Sequence, residues 1–177
     1  EVLALHGWGD GLPLVAPTPT RVEAMLAGCT GTDPDEVIAV LPPRSGEATR
    51  LSIAVNAVMA GCLPAHLPVL VSAVRALAHP DLNLRGVNAT THCVAPLLVV
   101  HGDVARSAGY HGGLGAFGPG SRANATTGRA LRLILLHIAG ATPGDGDAST
   151  QGGPAKYGFC VAENLEEMLT SFEANNV

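Results

Sequence analysis

A helix-dominant mixed α/β or α+β single domain with a small sheet is the fold class predicted by three observations. Five or six segments repeat apolar residues at helical spacing, and only two or three short Val- and Leu-rich runs read as strands. The chain has 177 residues, a length that one domain with a real core ordinarily fills, so residues 1–177 are expected to form one unit.

The first segment, His6 to Thr18, is punctuated by Gly and Pro too densely for a regular element and reads as an ordered loop. Thr20 is placed to cap a helix over Arg21 to Ala27, with Val22, Met25 and Leu26 on one face. Asp33-Pro34-Asp35-Glu36 has the pattern of an N-cap, a first-turn proline and a capping-box acid, which predicts a short helix through about Val40. Leu51, Ala54, Val55, Val58 and Met59 then mark a helix that Gly61 ends, and a second follows from about Ala65 to Ala78, before His79-Pro80. No Asp, Glu, Lys or Arg occurs from Leu51 to Val74, but Pro64 and Pro68 split the run, which favours a buried helical hairpin over a membrane span.

Val94 to Val100 reads as a buried strand with Pro96 near its start, and Tyr157 to Ala162 as a second. Between them, a helix is expected from about Ala123 to Ile138, ending at Gly140, and the segment from Ala141 to Pro154 is loop by composition. Glu163 to Ala174 closes the chain as a helix with Leu165, Met168, Leu169 and Phe172 on one face. Asn88-Ala89-Thr90-Thr91 recurs as Asn124-Ala125-Thr126-Thr127; a repeat would imply two similar Asn/Thr loops meeting at one site, but a single pair, with a strand expected after one copy and a helix after the other, favours coincidence.

Composition narrows the function. Hydrophobic residues make up 47% and charged residues 14%, well short of the roughly 25% charged share usual in soluble domains, so burial in a homo-oligomer is expected. A net charge of −5 and only six Phe, Tyr and Trp residues argue against nucleic-acid binding. The charge is uneven: no Asp or Glu lies between Asp103 and Asp145, while Arg106, Arg122, Arg129 and Arg132 do. Cys29, Cys62, Cys93 and Cys160 form no C-x-x-C pair, which suits a reducing cytoplasm better than secretion. The sequons at Asn88 and Asn124 would matter only in a secreted eukaryotic protein.

The main functional clue is the glycine-rich run Gly109 to Asn124, which leads into a helix bearing Arg122, Arg129 and Arg132. Glycines admit a ligand to a helix start, whose free N–H groups and dipole favour anions, so Gly118, Gly120, Ser121, Arg122, Asn124 and Arg129 are the candidate substrate-binding residues. The run lacks the Walker pattern and supports no nucleotide.

Lys156, the only lysine, is a candidate functional ammonium, with Asp147 and Glu163 as candidate partners. Cys62, near His66, and Cys160, four residues after Lys156, are the candidate thiols, although free cysteines are more often small buried hydrophobes. His92 is the best-placed general acid or base, and Asp10 offers a carboxylate in a constrained loop where turn capping is the commoner role. No His or Cys spacing marks a metal site, a set of His92, Cys93 and His101 being the only distant alternative, and no cofactor is expected.

The segments W-G-D-G-L-P-L-V-A-P-T, N-A-V-M-A-G-C, A-T-T-H, F-G-P-G-S-R-A-N-A-T-T-G-R-A-L-R-L and P-A-K-Y-G-F-C-V-A-E, spread from Trp8 to Glu163, resemble a family of uncharacterised bacterial proteins often encoded beside or fused to small selenocysteine-Gly-Ser-Cys (seleno)proteins. The resemblance implies a cytoplasmic protein working with a thiol or selenol partner in redox or carbon–heteroatom chemistry, and assigns no catalytic residue. Its matched positions are Asp10, Cys62, His92, Arg122, Asn124, Lys156, Cys160 and Glu163; Cys93 stands where that family's pattern has Pro. Two expectations result. One is an oligomeric thiol-dependent oxidoreductase or lyase holding an anionic substrate, with Cys62 or Cys160, Lys156 and His92 as reacting groups; the other is a non-catalytic ligand- or partner-binding subunit.

Overall fold

A computed structural model describes residues 7–31 and 33–164. Among these residues there are six α-helices and three two-stranded sheets, the helix-dominant mixture that the periodicity predicts. The core is the packing of α2 (Arg50–Ala60), α3 (Leu67–Leu77) and α6 (Arg122–His137), joined by α1 (Pro19–Leu26). Ile53, Leu70, Leu133 and Ile134 have no solvent-exposed surface. None of the described helices is long and apolar enough to cross a membrane.

Local signals set the helix ends. Thr49 caps α2 by accepting the Ser52 N–H at 3.1 Å, and Gly61 ends it in the left-handed conformation at φ 89°. Pro64 and Pro68 shape the turn that returns the chain antiparallel as α3, the hairpin expected from the proline-split run. Helix α1 starts at Pro19, one residue before the expected cap, because the proline is pre-set for the first helical position and Thr18 takes the cap position. Ser121 caps α6, bonding the Asn124 N–H at 3.2 Å.

The short helix expected at Asp33 to Val40 is replaced by a strand. Val37–Leu41 (β1) pairs antiparallel with Gly46–Thr49 (β2). Asp33 accepts the Asp35 N–H at 2.9 Å in a local turn, and the Glu36 carboxylate is drawn to the buried guanidinium of Arg50 rather than back to a helix start. With the cap residues engaged elsewhere, the Val-Ile-Ala-Val-Leu run follows its β-propensity.

The expected strand at Val94 to Val100 shrinks to Leu98–Val100 (β3), beyond Pro96, and pairs in parallel with Cys160–Ala162 (β6). Helices α4 (Leu84–Ala89) and α5 (Asp103–Ser107) and the small pair β4 (Thr142–Pro143) and β5 (Gly146–Asp147) complete the described fold. The helix expected from Glu163 to Ala174 lies outside the described residues except for Glu163 and Asn164, which are irregular.

The two Asn-Ala-Thr-Thr copies do not share a secondary structure. Asn88 lies in α4 and Thr90 caps its end, whereas Asn124 lies in the first turn of α6. Both asparagines are buried, and each copy anchors a loop. The Asn88 and Thr91 carbonyls accept the Ala148 and Thr150 N–H groups at 3.1 and 3.0 Å, and Asn124 holds the glycine-rich run.

The segment before β6 lies directly on α6. A Cβ at Gly128 would sit 2.6 Å from the Phe159 backbone nitrogen, and one at Gly158 would sit 3.0 Å from the Arg129 nitrogen. Two glycines facing each other thus allow helix and strand backbones to touch, bringing residues 154–159 over the helix. Alanine in place of a mid-helix glycine ordinarily gains about 1 kcal/mol of helix propensity. Here the contact is with backbone that cannot rotate away, so Gly128→Ala is expected to destabilise the protein by roughly 1–3 kcal/mol in urea denaturation. An unchanged or raised midpoint would mean that the approach is looser.

Candidate functional site

Two clefts lie side by side along α6. The first, about 430 Å³, is lined by Leu12, Ala116 to Gly118, Asn124, Ala125, Arg129 and the segment from Pro154 to Cys160 apart from Lys156. The second, about 440 Å³, is lined by Gly9, Asp10, Arg132, Asp147, Lys156 and the loop from Ser149 to Gly153, among others. Tyr157 lines both, and the loop at residues 9–12 contributes to each.

Arg129 and Arg132 project from one side of α6, being three residues apart. Arg129 grips Asp10 with two parallel bonds, Nε–Oδ2 at 2.7 Å and Nη2–Oδ1 at 2.8 Å, and donates a third to the Leu12 carbonyl at 3.1 Å. Both side chains are largely buried. Burial pushes the Asp10 carboxyl up, but the Arg129 hydrogen bond, the Leu12 N–H and the guanidinium charge outweigh it and hold it below its ordinary value. This pair ties the N-terminal loop across the helix.

Arg132 lies 3.2 Å from the Asp147 carboxylate, which also accepts two bonds from Lys156 Nζ, at 2.8 and 3.0 Å, and the Ser149 N–H at 3.1 Å. The Asp147 side chain is only 3% exposed. Burial again raises its carboxyl, and the Lys156 and Ser149 hydrogen bonds with the Lys156 and Arg132 charges overcome that to hold it ionised, below the ordinary range. Of the two carboxylates flanking Lys156, Asp147 takes it, whereas the Glu163 N–H bonds the Val100 carbonyl. Among the described residues, three cations, Arg129, Arg132 and Lys156, therefore meet two carboxylates along this stretch, Asp10 paired with Arg129 and Asp147 shared by Arg132 and Lys156.

The glycine-rich run is arranged differently from the expected anion pocket. Asn124 donates to the His111 and Ala116 carbonyls at 2.8 and 3.1 Å and accepts the His111 N–H at 2.9 Å, so it holds the run in place. Ser121 donates to Asn124 Oδ1 at 3.0 Å in addition to capping the helix. Arg122 turns away to the Gly61 carbonyl, at 3.1 and 2.9 Å, where it caps the end of α2. The polar groups of this helix start are thus engaged within the fold. Gly118 lines the first cleft, and Gly120, at φ 134°, serves the turn into Ser121.

The thiols are buried and protonated. Cys62 packs against Thr126 and Thr127, and burial pushes its thiol up to about 11 despite those partners and the Arg122 charge. Cys160, on the floor of the first cleft, is pushed by burial to about 12, with Cys62 close enough to add to the effect. Tyr110 donates or accepts a 2.8 Å bond with Thr127 beside them, its phenol raised by the same burial. The expected thiolate-favouring neighbours do not reach these sulfurs: Lys156 is engaged with Asp147, and His66 bonds the Leu63 N–H and the Ala108 carbonyl. Burial holds the His66 imidazole below its ordinary value.

The structure therefore brings together Asp10 with Arg129, and Lys156 with Asp147 and Arg132, beside a cleft that reaches Cys160. Cys62 lies against Thr126 and Thr127 and lines neither cleft, and His92 is exposed and lines neither cleft. Sequence reasoning missed Arg132 and the Ser149 to Gly153 loop as site residues. The spacing of Arg129 and Arg132 on one helical face was the available signal. Among the described residues, no three His, Cys, Asp or Glu side chains cluster as metal ligands. In comparisons with known proteins, no family model, no curated protein and no solved structure matches the chain.

At pH 8 an aromatic disulfide reagent is expected to react quickly with exposed Cys93, more slowly with half-buried Cys29, and with Cys62 and Cys160 only on unfolding. A second fast thiol that maps to Cys160 would show that the cleft opens and activates it.

Proposed function

We propose that the protein binds an anionic small molecule in the cleft bounded by Arg132, Lys156 and the loop from Ser149 to Gly153. The observation that carries this reading is the shared carboxylate: Asp147 is buried between two cations and fixes both at the cleft wall, while Asp10, the other carboxylate lining that cleft, is held by Arg129. Positioned cations of this kind cost little reorganisation when an anion arrives. The neighbouring hydroxyl and amide side chains of Ser149, Thr150 and Gln151 suit the oxygens of a phosphate or carboxylate.

A homo-oligomeric, cytoplasmic setting belongs to the same proposal. It is supported by the small charged share, by exposed Val37, Val40, Leu51 and Val99, and by cysteines that are free in the described structure. A thiol-dependent oxidoreductase or lyase is the second reading, favoured by one observation, that Cys160 lines the adjoining cleft. As a protonated thiol it would act there as a proton donor or slow nucleophile, and the thiol or selenol partner implied by the resemblance would belong to that reading.

Titration calorimetry with inorganic phosphate at low ionic strength tests the proposal. The native protein is expected to bind one phosphate per chain, and Lys156→Met, which leaves Arg132 on Asp147, to weaken binding at least tenfold. No binding by the native protein, or equal binding by the variant, would contradict it.

A further inference from the structure

The core is built almost without aromatic rings. Of the six Phe, Tyr and Trp residues in the chain, only Tyr110 is buried in the described core, and Phe172 lies outside the described residues. Three of the others, Phe117, Tyr157 and Phe159, line the first cleft together, and Trp8, beside Gly9 of the second cleft, is 54% exposed. Phe117 and Tyr157 are 68% and 54% exposed, and the Phe117 and Phe159 rings stand 5.2 Å apart, tilted by 45°.

Rings this large ordinarily go inside, where each removes more apolar area from water than any aliphatic residue. A chain that fills its described interior with Ala, Val, Leu and Ile and sets three of its six rings beside one open cleft has left those three for something other than its own core. The backbone contact between Gly128 and Gly158 and the anchoring of the glycine-rich run by Asn124 position the two ring-bearing segments, which meet through Phe117 and Phe159 at that cleft.

The aromatic cleft adjoins the cationic one. Tyr157 is common to both, and the Asp10–Arg129 pair forms the ridge, with Arg129 facing the first cleft and Asp10 the second. Each cleft falls in the size range of small-molecule sites, about 300–1,000 Å³.

We infer that the ligand is an amphiphile with two parts: a flat aromatic body seated among Phe117, Tyr157 and Phe159, and an anionic group that crosses the ridge to Lys156 and Arg132. This inference rests on the anion-binding reading above and adds to it the class of molecule. A small molecule rather than a protein segment is the occupant that charge and shape favour, since Lys156 and Arg132 line a cleft next to the rings rather than a flat face.

Three probes separate the parts. 1-Naphthyl phosphate carries both, inorganic phosphate only the anion, and 1-naphthol only the ring. The native protein is expected to bind 1-naphthyl phosphate at least tenfold more tightly than either fragment. The Phe117→Ala variant, which alters one exposed side chain that lines the first cleft and not the second, is expected to weaken 1-naphthyl phosphate toward the affinity of inorganic phosphate while leaving phosphate binding unchanged. Lys156→Met is expected to weaken both phosphates and leave 1-naphthol unaffected.

If phosphate binds but 1-naphthyl phosphate binds no more tightly, the aromatic subsite is overturned and the anion reading stands. If 1-naphthyl phosphate binds no more tightly than 1-naphthol, the anion reading fails, and this inference with it. A fall in native mass on Phe117→Ala without loss of 1-naphthyl phosphate binding would show that the rings face a second copy, and would also overturn it.

Discussion

Asp147 is the constraint on which the candidate site depends. One buried carboxylate gathers Arg132 from α6, Lys156 from the loop before β6 and the Ser149 N–H from its own turn. Removing one partner of such a group leaves charge buried without compensation, typically at about 3–5 kcal/mol. Among the described residues, the one carboxylate therefore serves two cations and fixes both. Three residues earlier on the same helix, Arg129 does the equivalent for the N-terminal loop through Asp10. The two pairs pin two loops across one helix, and the clefts are the spaces left between loops and helix.

The low charge of the chain acquires a meaning from this placement. A protein with so few ionic groups uses several of them in partly buried pairs beside one helix, where the dielectric is lower and geometry more restrictive than at an open surface. The helix can carry these groups because its other side is apolar: Leu131, Leu133, Ile134 and Leu135 are buried against α2 and α3. Glycine supplies the remaining requirement, since Gly128 lets the Phe159 backbone lie on the helix that bears Arg129 and Arg132.

Much of the fold was legible in the sequence, and the reasons differ by element. Helices α2, α3 and α6 have long apolar repeats with clear stops at Gly61 and before His79-Pro80, so their limits are within a residue or two of those expected. The β1–β2 hairpin was not legible because Asp33 to Glu36 mimics a helix start; the competing demand came from Arg50, a residue fourteen positions after Glu36, and such a tertiary contact leaves no local trace. In the site, the importance of Lys156 and Asp147 was readable from scarcity and proximity. The roles of Ser121, Arg122 and Asn124 were not, because each serves a partner that only the folded chain supplies: the Gly61 carbonyl for Arg122, and the His111 and Ala116 backbone for Asn124. The thiols likewise looked accessible to cations along the chain, but Asp147 holds Lys156, backbone groups hold His66, and burial raises both thiols.

Hydrogen exchange of Asp147→Asn resolved by residue tests the central claim most directly. If the shared carboxylate is a local clamp, protection at Ala148, Ser149 and Thr150 should fall steeply while amides of α2 and α3 exchange as in the native protein. Unchanged protection at those three positions would contradict the claim. So would a uniform loss through the helical core, which would make Asp147 a determinant of the whole fold rather than the clamp that builds the site.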